Sequence, residues 1–135
     1  MNISGKARYM VGLIVVYIIA DLFLTPLGGI ETRPVSEVTT TGVATLGLLF
    51  TGLALNVICL ILTLRHYKRA PIFGVIGSLL HFPAPIAEAT GQFSSLKPPL
   101  GIAYLEVIEA IIAIAIIFMG VLVLREKPEA QTKPA

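Results

Sequence analysis

Five ionisable side chains stand in otherwise apolar stretches of this chain: Asp21, His81, Glu88, Glu106 and Glu109. In a greasy setting such groups hold or relay a proton, bind a cation, or act as acid and base on a bound molecule. They are expensive to keep there, since a charge at the bilayer centre costs about 2.5–3.5 kcal/mol on insertion scales. Their spacing adds detail. His81 and Glu88 are seven apart, two helical turns, and point the same way. Glu106 and Glu109 are three apart and share a face. Two carboxylates so close in a low dielectric do not both ionise, so one is expected to keep a proton. Pro83 and Pro85 follow His81. Each removes a backbone donor, which predicts a kink or break that frees carbonyls beside His81 and Glu88.

Each group also has a plain structural reading. Glu88 lies near the end of its run, where a solvated position at the interface explains it. Glu106 becomes a partner of the helix dipole if its span begins nearer Leu105. His81 alone is compatible with a hydrogen-bonded packing role. Asp21 lies well inside the first run, and a functional or partner-binding role suits it better.

The elements that position these residues are membrane spans. The chain has 135 residues, 56% hydrophobic and 13% charged. So short a chain cannot hide that much apolar surface in a core of its own. A soluble enzyme, a disordered chain and a nucleic-acid binder are excluded, and no nucleic-acid partner is expected. A span needs about 20 mostly apolar residues. Four stretches meet this: about 9–28, 42–64, 71–89 and 99–124. The first is read as a retained span, because its apolar core is long and no A-x-A-like cleavage site follows. The fold class is therefore an all-α integral membrane protein, an antiparallel four-transmembrane-helix bundle. Residues 1–126 form the transmembrane domain, and 127–135 read as a disordered polar cytoplasmic tail.

Lysine and arginine set the expected orientation. Lys6, Arg8, Arg65, Lys68, Arg69, Arg125, Lys127 and Lys133 fall on one side, and only Arg33 and Lys97 on the other. Both termini are predicted cytoplasmic, with localisation in the plasma membrane, and the loops 29–41 and 90–98 external. The acidic groups then gather in the outer half of the bundle with His81. No lysine or arginine lies within the spans to neutralise them.

Every span carries small or polar residues at helical spacing, the face expected to meet other helices. The stripes are Tyr17, Asp21, Thr25, Gly28; Thr45, Gly52, Asn56, Cys59, Thr63; Gly74, Ser78, His81, Pro85, Glu88; and Ala103, Glu106, Glu109, Ala110, Ala113, Gly120.

Metal and cofactor signals are absent. The single Cys59 excludes a disulfide framework, and the two histidines, His81 near the middle of the third span and His66 on the other side, make no ligand set. No P-loop, dinucleotide fingerprint, nucleophile elbow or H-E-x-x-H is present. No cofactor or metal is expected, and no recognisable enzyme. Three functions remain. The favoured one is a non-catalytic or accessory subunit of a larger membrane complex, with the bilayer and other subunits or a second copy as partners. The alternatives are an oligomeric proton- or cation-coupled transporter or channel using Asp21, Glu106 and Glu109, and an intramembrane apolar-ligand binding protein or acid–base enzyme.

Overall fold

A computed structural model describes residues 3–127. Of the expected tail, 127–135, all but Lys127 lies outside the described residues. Five helices follow one another: α1 (Gly5–Leu24), α2 (Thr40–Leu64), α3 (Ala70–Leu79), α4 (Pro83–Ala89) and α5 (Leu100–Leu124). Two single turns of 3₁₀ helix, Pro26–Gly28 and Val35–Glu37, lie between α1 and α2. There is no strand among the described residues, only an isolated bridge between Val38 and Ser94. With α3 and α4 taken together, four helical segments are long and apolar enough to cross a membrane. The chain reads as a multi-pass membrane protein.

Local chemistry explains the boundaries. Ser4 caps α1 by accepting from the Ala7 N–H at 3.2 Å, and Thr39 caps α2 by accepting from Gly42 at 3.0 Å. The first run does not continue to Gly28. It stops at Leu24, because Pro26 drives the preceding Thr25 into extended backbone (φ −81°, ψ 161°). Thr25 and Gly28 thus leave the helical stripe assigned to them. The third span is two helices with a turn at Leu80–Phe82. Pro83 opens α4, where a missing N–H costs nothing. At the end of α2, His66 takes a left-handed conformation (φ 60°). The His66 and Tyr67 N–H groups donate back to Thr63 and Leu62, the bond pattern of a Schellman cap.

Packing joins α1 to α5 and α2, and α2 to α3 and α4, while α3 also meets α5. The α2–α3 contact depends on Gly52 and Gly77. A Cβ on Gly77 would sit 2.6 Å from the Gly52 carbonyl oxygen, and one on Gly52 would strike the Gly77 carbonyl. Small residues permit this backbone approach, the usual means of helix association in lipid.

The two ends of the molecule differ. Away from the long loops, Met10, Ile14, Tyr17, Cys59, Ala113 and Ile116 form a closed core. At the other end the loops clasp each other. Thr39 N–H donates to the Phe93 carbonyl at 2.9 Å, and Ser95 N–H to Glu37 at 3.1 Å. The Thr39 hydroxyl donates to Gln92, and the Ser95 hydroxyl to the Glu37 carboxylate. Outward faces carry Phe23, Ile58, Ile108, Ile114 and Phe118, as lipid contact requires.

Candidate functional site

Beneath the clasped loops the interior opens into a pocket of about 220 Å³ between α1, α2, α4 and α5. Its walls are aliphatic: Leu24, Val43, Leu46, Leu49, Ala84 and Ile102. Four of the five expected residues, Asp21, His81, Glu88 and Glu106, line it. Glu109 does not. It lies one layer away, packed where α1 meets α5.

At the deep end the polar groups are wholly withdrawn from the surface. Asp21 is 1% exposed, and His81 and Glu109 are 0% exposed. Tyr17 precedes Asp21 by one helical turn on α1, and its hydroxyl lies 3.1 Å from His81 Nδ1. We assign the phenol, the better acid, as the donor, which puts the imidazole proton on Nε2. Ring edges of Tyr17 and Phe82 hold the imidazole in place, with centroids 5.5 and 5.7 Å away. His81 owes this position to the turn between α3 and α4, which frees it from a helical register.

Several polar atoms here have no partner. Both carboxyl oxygens of Asp21, both of Glu109 and His81 Nε2 are buried without a hydrogen bond. No N–H and no Ser, Thr or Tyr hydroxyl reaches either carboxyl. Both carboxyls are buried where α1 packs on α5, Asp21 on the first helix and Glu109 on the second. The close acidic pair is therefore Asp21 with Glu109. Glu106, one turn before Glu109 on α5, is half-buried on the pocket wall. Buried polar groups without partners cost about 1–3 kcal/mol each. A site that keeps them is arranged for something besides stability.

The loop side of the pocket is closed by an ion cluster that sequence reasoning missed. Arg33 folds back from the loop and grips two carboxylates. Its Nη1 and Nη2 donate to Glu88 at 2.6 and 3.2 Å, and its Nε and Nη2 donate to Glu31 at 2.9 and 2.8 Å. Nη1 also reaches the Leu96 carbonyl at 3.2 Å. The guanidinium lies 5.5 Å from the centre of the Phe93 ring. The Arg33 and Glu88 side chains are 7% and 6% exposed. Glu88 is thus not a solvated interfacial acid but half of a bidentate pair. The guanidinium's hydrogen bonds hold the Glu31 carboxyl below its ordinary value. Arg33 itself is held more firmly protonated, by its hydrogen bonds to Glu31 first and Glu88 after. The available clue was that Arg33 and Lys97 are the only cations in the loops that join the first span to the second and the third to the fourth. Tyr17 was visible as part of a stripe, but not as the partner of His81.

Among the described residues, no three His, Cys, Asp or Glu side chains converge as a metal site would require. The polar set is instead an imidazole, a phenol and two buried carboxyls beside an apolar wall. Comparison with protein-family models, curated proteins and solved structures finds no match.

Proposed function

We propose that this chain is an intramembrane binding protein for a small, mainly apolar molecule. Leu46, Leu49, Ala84 and Ile102 would hold the ligand's body, and Asp21 and His81 its polar end. The observation that carries this reading is the inward placement of the unpartnered groups: Asp21 and His81 Nε2 are buried, have no partner and line an apolar-walled pocket. Ligand sites combine these features, apolar walls with few convergent polar groups. The Arg33–Glu31–Glu88 cluster then acts as the pocket's polar cover.

The same placement weakens the reading as an accessory subunit. That reading needs the acids to meet partner helices, yet Asp21 and Glu109 face their own bundle. It keeps one favourable observation. On α1, Gly5 and Gly12 lie on an exposed groove with Tyr9, and nothing within 4 Å would meet a Cβ at either glycine. A second copy or a partner helix fits such a face. A transporter using Asp21, Glu106 and Glu109 needs a path through both halves of the membrane. The closed core around Met10, Ile14 and Ile116 argues against one.

In this account the four segments form an antiparallel bundle in the plasma membrane, with both termini cytoplasmic, on the strength of the lysine and arginine distribution. The pocket then opens in the outer half.

Native mass spectrometry of the protein, extracted from its own membrane in mild detergent, tests the reading. The expected result is a monomer or homo-oligomer carrying one small apolar molecule per chain. Ala84→Phe, which fills the pocket, should lose that molecule. Larger chains co-purifying at fixed ratio, with no retained small molecule, would restore the subunit reading.

A further inference from the structure

The polar lining of the pocket is unbalanced in charge. Its acids are Asp21, Glu31, Glu88 and Glu106, and its one permanent cation is Arg33. That guanidinium is already committed to Glu31 and Glu88. Asp21 and Glu106 are left with no cation, and both Asp21 oxygens lack any donor. Both acceptor oxygens of Asp21 thus stand at the deep end of an aliphatic cavity with no donor from the protein, and the unpartnered Glu109 carboxyl lies one layer behind.

We propose that the ligand is a lipophilic amine bound as its ammonium, with Asp21 as its counter-ion. This inference rests on the pocket reading of the preceding subsection and adds the charge and donor character of the occupant. An ammonium supplies N–H donors to the Asp21 oxygens, and its alkyl body lies against Leu46, Leu49 and Ile102. Before the amine binds, Asp21 and Glu109 hold one proton between them. When the ammonium arrives it replaces that proton, which leaves toward the loop end. No bond in the ligand forms or breaks, and the charge of the site is unchanged. The groups facing Asp21 in this exchange are Tyr17 on α1, Glu109 and Glu106 on α5, His81 at the α3–α4 turn, and Arg33 with its two carboxylates above. No ionisable side chain of α2 lines the pocket.

The test uses the full chain in phosphatidylcholine nanodiscs at pH 7, with n-octylammonium and its uncharged counterpart 1-octanol as probes. The wild type should bind octylammonium about tenfold tighter than octanol, the gain from charge-assisted hydrogen bonds. It should release about one proton per cation bound. Asp21→Asn should bind both probes equally and release none, and its retained octanol binding shows that it is folded. Glu109→Gln should keep the preference for the cation, because the Asp21 counter-ion is still in place. Equal affinities in the wild type, or a preference that survives in Asp21→Asn, would overturn the ammonium assignment and leave the pocket standing. Failure of both probes to bind would overturn the pocket as well. Repeating the titration with phosphatidylethanolamine in the discs separates two sources of the same chemistry. Loss of octylammonium binding identifies a lipid headgroup as the occupant, and unchanged binding a free amine.

Discussion

Gly77→Val lowers stability by about 3 kcal/mol, the upper range for forcing extra methyl groups into a packed contact. The added side chain has nowhere to go. Its Cβ alone would lie 2.6 Å from the Gly52 carbonyl and 3.0 Å from both Asn56 Nδ2 and Leu55 Cβ. The obstacle is backbone of a neighbouring helix, not the end of a flexible side chain. Relief requires α2 and α3 to move apart, which also pulls the Leu80–Phe82 turn and His81 away from Tyr17. Gly12→Ala is the matched control, because nothing lies within 4 Å of the added atom. It should be neutral or slightly stabilising, since alanine is the better helix former. Unfolding midpoints in mixed micelles, measured for both variants, check the contrast. Equal midpoints would mean that α2 and α3 do not touch at Gly52 and Gly77.

The second large effect has the opposite sign. Replacing both facing acids, Asp21→Leu together with Glu109→Met, should raise stability by about 2 kcal/mol, as similar apolar replacements of buried charged groups have done. The two carboxyls have no donor from the protein, and both are withdrawn from the surface. A purely structural role predicts the reverse, a loss of stability on removing them. A gain in unfolding midpoint with loss of octylammonium binding would mark the pair as kept for function at the expense of stability. If the variant is less stable than the wild type, the pair holds the bundle together and the functional reading loses its main support.

Much of this architecture was written in periodicity. The stripe Thr45, Gly52, Asn56, Cys59 and Thr63 is the buried face of α2, because in lipid the small and polar face must turn inward. His81 and the two prolines foretold an interrupted third span, and the interruption falls at Leu80–Phe82. Other features were less legible. The end of α1 at Leu24 is set by Pro26, a local cue outweighed by the apolar residues around it. On α1 the inward face continues from Tyr17 through Ile14 and Met10, large residues that no rule about small stripes selects. The site suffered most from long-range pairing. Asp21 and Glu109, eighty-eight residues apart, are both buried where α1 packs on α5. Arg33 reaches Glu88 from a loop fifty-five residues distant in sequence. A count of charges within the spans cannot see a cation that folds back into them.

The central claim is that the space beneath the loops is a binding site. Photolabelling tests it most directly, using an octanol derivative with an aliphatic diazirine and the protein in its bilayer. The account predicts adducts on Leu46, Leu49 and Ile102, suppressed by excess 1-octanol. Adducts confined to the lipid-facing Ile108, Ile114 and Phe118, and indifferent to the competitor, would contradict it.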